Sequence, residues 1–296
     1  MAGNGKRFCL LANIVLIALC ITAVVPFILL VSSSITEEAV INQSGYSFLP
    51  KKIDFAAYKY LFMASASIAK AYGMTIVVTI TGTAANVFLT MSMGYLLSKK
   101  DLAGRNFISF FVFFTMLFSG GMVPSYIIWS QVMKVSNTVF GLICPNLMLN
   151  AFNIILMRTY FSTNIPQEIN EAAEMDSCSQ VDILFRIAVP LSKPMIATVG
   201  LFSALAYWND WINGLYYLTR RSDLYSIQNV LNSMMNNVQF LKENTLDAGS
   251  AQITTQIPTS GVRMAIAVIS VVPIMVIYPF FQKAFIKGIV IGGVKG

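Results

Sequence analysis

The side chains able to do chemistry in this chain are few and grouped. Five acids stand within fifteen residues (Glu168, Glu171, Glu174, Asp176 and Asp182), from thirteen in the whole sequence. Carboxylates so placed can complement a helix N-terminus or meet a basic partner. Asn146, Asn150 and Asn153 form a second group, spaced to share one face of a helix, where amides could hydrogen-bond hydroxyl groups. A third is Tyr207-Trp208-Asn209-Asp210-Trp211. Aromatic faces beside amides and a carboxylate suit a carbohydrate, which offers CH faces to stack and hydroxyls to bond. They equally suit an aromatic belt at a lipid interface.

The absences narrow the chemistry further. There is no histidine, which removes the commonest general base and metal ligand together. No nucleophile–base pair of the usual kind can be assembled, so no catalytic residue and no metal site is assigned. Cys9, Cys20, Cys144 and Cys178 form no CxxC pair and read as small hydrophobes. The ending GIVIGGVKG resembles a phosphate loop only superficially, because Val294 stands where its lysine belongs and no helix follows. No cofactor is assigned to this chain, and any ATP and Mg would have to be bound outside it.

The elements that must carry these groups are set by composition. Of 296 residues, 56% are hydrophobic and 11% charged, against about 25% charged in a soluble domain. Apolar runs of about 20 residues cross a bilayer, and backbone groups in lipid must bond internally, so each run is expected to be a helix. The expectation is an all-α, polytopic membrane protein, one transmembrane domain over 1–296. Its six spans are about 8–31, 73–97, 107–130, 138–160, 187–208 and 264–286, the first of them retained and not cleaved as a signal peptide. Lys6 and Arg7 precede the first span, and Lys283, Lys287 and Lys295 end the chain. With Lys99–Arg105 between the second and third spans, this places both termini in the cytoplasm of a bacterial plasma membrane. The net charge of +7 belongs to that orientation and not to nucleic acid, since no basic patch carries interleaved aromatics. Short helices are expected in 54–70 and 226–240.

Within the spans, Thr75, Thr79, Thr83, Asn86 and Thr90 line one face of the second, read chiefly as interhelical hydrogen bonding. The asparagines of the fourth divide evenly between that role and a hydrophilic path. Spans one to four hold no Asp or Glu, whereas ion-coupled carriers usually bury acids or broken helices at mid-membrane. The chain reads as a conduit driven by something else. An autonomous ion-coupled secondary transporter or channel is the alternative, and a membrane-embedded enzyme is disfavoured by the missing histidine.

Residues 166–178 suit a short helix, with Pro166 at its start and Glu168 in its first turn. Ile169, Ala172 and Ala173 are expected on one face, with Glu171 and Glu174 elsewhere; Asp176-Ser177 marks a break, and 179–186 begins a second helical piece. A helix this short is marginal alone. Being acidic, it is unlike a lipid-surface helix, and it reads as a protein-docking helix.

Here the residues acquire a resemblance. Glu171-Ala172-Ala173, then Asp176, then Ile187-x-x-Pro190, resembles the EAA coupling loop of ABC importer permeases; Ser177 and Val189 replace the usual Gly and Leu. Phe118–Pro124, Phe152-Asn153 with Met157-Arg158, Trp208-Asn209, and the ending from Tyr278-Pro279 to Gly296 are similar to carbohydrate permeases related to the second membrane subunit of the maltose importer. The nearest branch carries complex oligosaccharides or polysaccharide fragments. The resemblance implies the type I ABC importer permease fold, with a coupling loop at 162–186 and a cytoplasmic tail at 287–296. It implies a second homologous permease, two ATPases, an extracellular lipid-anchored sugar-binding protein, an oligosaccharide substrate and surrounding lipid as partners. By position, Glu168, Glu171, Ala172, Ala173, Asp176 and Ser177 would dock on or shape the contact with an ATPase, and Gly292, Gly293 and Lys295 would reach it from the tail. Asn146, Asn150, Asn153, Trp208, Asn209, Asp210 and Trp211 are the candidate substrate path.

Overall fold

Long apolar runs become long helices, and glycine, proline and left-handed residues decide where they stop. A computed structural model describes residues 2–63, 65–247 and 259–293. Among these there is no strand, only an isolated antiparallel bridge between Thr36 and Ile53. The chain divides into two units, residues 1–67 with 231–273 and residues 68–230 with 274–296.

The first unit contains α1 (Ala2–Ser34), α2 (Glu38–Ser44), α3 (Ala56–Met63), most of α13 (Ile227–Asp247) and the first half of α14 (Thr259–Gly293). α1 spans 33 residues, about 50 Å, and none of its most apolar window is buried. Gly45 ends α2 at φ 75°. The Glu38 carboxylate accepts the backbone N–H groups of Ser260 and Gly261, both at 2.9 Å, and so caps the start of α14.

The second unit is organised on α4 (Ser65–Ser98). Val78 joins a cluster with Leu142, Tyr207 and Leu218, and Met91 and Tyr95 pack with Met157, Phe161, Ala173 and Val199. Leu97 packs with Val112 and Ile154. Close approach is built in at two turns. A Cβ on Gly82 would lie 2.5 Å from the Tyr207 ring, and one on Gly94 2.8 Å from Met157.

Three expected spans are interrupted. The run at 107–130 is α5 (Arg105–Leu117) followed by α6 (Met122–Val132), bent by 116°. The break falls at Ser119-Gly120-Gly121, where Gly121 takes φ 85°, ψ 176°, open only to glycine. The run at 138–160 is a single turn, α7 (Phe140–Ile143), then irregular chain to α8 (Ala151–Asn164). Pro145 cannot donate to a helix, and Asn146 is left-handed at φ 62°. The run at 187–208 starts earlier, as α10 (Gln180–Leu191), π-wound over Ile183–Ala188. It bends by 86° at Ser192 into α11 (Lys193–Trp208). Among the described residues, two helices are long and apolar enough to cross a membrane, or four if each bent pair is one span. Between α8 and α10 lies α9 (Gln167–Met175), and α12 (Ile212–Tyr217) follows α11.

Candidate docking helix and polar lane

α9 is defined by its ends. Pro166, extended at ψ 139°, stands at the N-cap, one place earlier than expected, and Glu168 occupies the first turn. At the other end Ser177 is left-handed, φ 60°. Its N–H donates to the Glu174 carbonyl at 3.0 Å and that of Cys178 to Ala173 at 3.0 Å, the paired bonds of a Schellman turn. Glycine is the usual residue there, and serine adopts the same geometry.

The faces of α9 differ from the expected grouping. Ala173 is 6% exposed and packs in the core around α4, so it is turned inward and not offered to a partner. Ile169, Ala172 and Met175 form the outward stripe, with Met175 86% exposed. Glu168, Glu171 and Asp176 are exposed beside it.

The remaining two acids serve the chain itself. Asp182 accepts its own N–H cap partner: Ser179 Oγ receives the Asp182 N–H at 3.1 Å and donates to Asp182 Oδ2 at 2.6 Å. That bond, then the Arg186 charge at 3.2 Å, holds the Asp182 carboxyl below its ordinary value. Glu174 Oε1 accepts from Gln180 Nε2 at 2.8 Å and pairs with Lys99 Nζ at 3.4 Å. The Gln180 bond first and Lys99 second keep Glu174 ionised below the usual carboxylate range. Gln180 Oε1 in turn accepts from the Tyr95 hydroxyl at 3.1 Å, and Lys99 Nζ lies 5.1 Å from the Tyr95 ring centroid. Beside this group, a cleft of ≈ 500 Å³ separates the Lys99–Asp101 loop from Glu168, Asn170 and Glu171.

The second locus is the interruption at 144–150. Irregular backbone within a membrane is tolerated only where protein or a watered cavity satisfies its polar groups. Here side chains from other helices do so. The Tyr207 hydroxyl donates to the Ile143 carbonyl at 2.9 Å, and Asn213 Nδ2 donates to that of Pro145 at 2.9 Å. Asn86 Nδ2 donates to Leu147 at 2.8 Å and to Met148 at 3.3 Å. Asn86 Oδ1 accepts from Ser203 Oγ at 2.6 Å and Thr90 Oγ1 at 3.4 Å. Asn150 caps α8 by accepting the Asn153 N–H at 3.1 Å.

Around this stapled break lie two cavities of ≈ 210 Å³ each, with polar side chains among apolar ones in their walls. Asn86, Asn150, Asn153 and Ser203 line one; Ser119, Ser125, Tyr126, Asn213, Tyr216 and Tyr217 line the other; Asn146 lines both. Tyr126 and Tyr217 stack with ring centroids 5.9 Å apart. No acid or base lines either cavity. The three candidate asparagines thus meet at one cavity, joined by Asn86.

The group at 208–211 does not line these cavities. Trp208 is 6% exposed and lines an apolar groove with Thr79, Thr83, Gly200 and Ala204. Asn209 Nδ2 bonds the Leu205 carbonyl, and Asp210 Oδ1 accepts the N–H groups of Ile212 and Asn213, capping α12. Trp211 is half exposed. The threonine stripe divides too. Thr75 accepts the Ile227 N–H at 2.8 Å, tying α13 to α4, while Thr79 and Thr83 face the apolar groove. Tyr126, Tyr216, Tyr217 and Asn213 were missed from sequence; the signal for the last three was a polar-aromatic run just past the expected span 187–208, while Tyr126 lay inside the expected span 107–130. Gly292 and Gly293 end α14 in helical conformation, and Lys295 lies outside the described residues.

A family model described as "Binding-protein-dependent transport system inner membrane component" matches residues 86–291. The chain belongs to that family. It is the pore-forming permease subunit of an ATP-driven ABC importer and not an enzyme. It works in a membrane as part of a complex. This permease is similar to Protein LplC of Bacillus subtilis (strain 168), 37% identical over 92% of this chain and 90% of the relative. It is similar also to the polygalacturonan/rhamnogalacturonan transport system permease protein YtcP of the same organism, 35% identical over 99% and 100%. Among solved structures, a bacterial ABC transporter involved in import of the acidic polysaccharide alginate matches with a TM-score of 0.78. Its identity is 30%, covering 96% of this chain and 99% of that one.

Proposed function

We propose that this permease carries carbohydrate, as oligosaccharides or polysaccharide fragments, along the lane lined by Asn86, Asn146, Asn150, Asn153 and the tyrosines. We also propose that α9 docks on an ATPase. The observation that carries this reading is the outward stripe Ile169–Ala172–Met175. It is apolar, exposed and flanked by Glu168 and Glu171, on a helix whose adjacent inward edge is held by Ala173. A short helix gains its stability from packing on both sides, and the outward side lacks a neighbour among the described residues.

The lane supports the substrate class. It offers amide, hydroxyl and phenol groups and no charge, which is what a polyhydroxylated chain needs to exchange hydrogen bonds while moving. The named cargoes of the polygalacturonan/rhamnogalacturonan relative and of the alginate transporter agree with it. The partner set is a second homologous permease, two ATPases and an extracellular lipid-anchored sugar-binding protein. Both termini, α9 and the Lys99–Arg105 loop lie in the cytoplasm of a bacterial plasma membrane. Asp176 and Ser177 shape the turn that presents α9, and Gly292, Gly293 and Lys295 reach the ATPase from the tail.

The test is co-purification with candidate partner ATPases co-expressed with this permease, in wild type and in Ala172→Trp and Met175→Glu variants. Both substitutions are expected to abolish ATPase retention while leaving the permease folded. Retention equal to wild type in both variants overturns the docking role.

A further inference from the structure

We propose that Tyr95, Gln180, Glu174 and Lys99 form a closed clamp that makes α9 and α4 a single lever, with Gln180 and Tyr95 as positioning residues for coupling. The inference rests on α9 being the docking helix.

Every member makes two of the contacts. Tyr95 donates to Gln180, Gln180 donates to Glu174, Glu174 pairs with Lys99, and Lys99 returns over the Tyr95 ring. The ring is anchored from within. Tyr95 is 3% exposed and meets Phe161 edge-on at 5.8 Å. Ser98 Oγ closes the end of α4 onto the Tyr95 carbonyl at 2.7 Å.

The covalent connections of α9 are poorly suited to transmit force. On one side Ile165 and Pro166 are extended, ψ 109° and 139°. On the other, Ser177 is a left-handed turn, and the path onward bends by 86° at Ser192. The clamp bypasses both. From Tyr95, α4 runs without interruption back to Asn86, nine residues and about 14 Å away at 1.5 Å per residue. Asn86 is the side chain that holds the broken span at Leu147 and Met148. One uninterrupted helix therefore joins the docking surface to the staple of the lane, and the closed clamp adds directional polar contacts to the apolar packing of Ala173 that would otherwise carry displacement of α9 alone.

The experiment uses the full complex with its ATPases in a background lacking Cys9, Cys20, Cys144 and Cys178, with Ser125→Cys as a reporter in the lane. The rate of labelling by a water-soluble thiol reagent is measured with and without Mg-ATP plus vanadate. With the clamp intact, ATP is expected to change the rate by at least ~5-fold, the lower end of ordinary allosteric coupling. Tyr95→Phe, which keeps the ring and its packing, and Gln180→Ala should retain the ATPases and their basal hydrolysis yet lose that change. An ATP-dependent change that persists in Tyr95→Phe and Gln180→Ala overturns the clamp. So does loss of ATPase retention in Tyr95→Phe, because the residues would then be shaping the docking face itself. If wild type retains no ATPase, the docking role fails instead.

Discussion

Two interruptions of helix, at 144–150 and at 176–179, solve the same problem in opposite ways. At 176–179 the freed groups are satisfied within a few residues, by the Ser177 turn and the Ser179 cap. At 144–150 the carbonyls of Ile143, Pro145, Leu147 and Met148 are satisfied by Tyr207, Asn213 and Asn86, 61 to 68 residues away. The difference follows solvent. A loop in water needs only local geometry, since water accepts what is left over. A break among membrane helices has no such reserve, so the rest of the fold must supply the donors.

That contrast can be broken by substitution. The largest effect is expected for Asn86→Leu, which strands two carbonyls and the Ser203 hydroxyl at once. At about 1–3 kcal/mol for each buried polar group left unsatisfied, the complex should lose much of its thermal stability, read as a lower Tm in detergent. A wild-type Tm would show that the break does not depend on remote donors. Tyr207→Phe removes one donor and keeps the ring against Gly82, so about 1–3 kcal/mol is expected from the single stranded carbonyl, a smaller fall in the same assay.

The local interruption should respond weakly, and in one case favourably. Ser177→Gly relieves a left-handed residue, worth about 1–2 kcal/mol, against the entropy that glycine brings, about 0.5–1 kcal/mol. A small gain in stability is expected, and a loss would mean the Ser177 side chain is needed. The smallest effect concerns pH. Glu174 has its folded pKa lowered from 4.5, by Gln180 and then by Lys99. Its contribution is present above the ordinary carboxylate range and is lost as pH falls through the depressed value. Protection of the α9 amides from hydrogen exchange should thus hold at pH 6 and weaken on acidification below about 4.5, and Glu174→Gln should remove that pH dependence.

The legibility of the sequence follows the same line. α1 and α4 were readable because apolar length alone specifies them, and α9 because Pro166, Glu168 and Asp176-Ser177 are local signals. The inward turn of Ala173 was not, since three apolar positions cannot say which of them meets the core. Breaks at Gly120-Gly121 and Pro145-Asn146 lay inside runs that hydropathy averages over, although the glycine pair and the proline were on view. Asn86 could be placed on a polar stripe but not assigned, because its partners are 61 and 62 residues away. Trp208 misled by adjacency: its neighbours are polar in sequence, yet its ring is packed in an apolar groove.

The Glu38 cap on α14 has a consequence in time. Its acceptor is made early and its donors, Ser260 and Gly261, follow 222 and 223 residues later. At ribosomal rates of about 5–20 residues per second, the carboxylate waits on the order of ten seconds or more for its partners. A chain released before residue 260 lacks both N–H donors that this carboxylate meets at the start of α14. Closure of that bond therefore marks a polypeptide that has been extended into its last described helix.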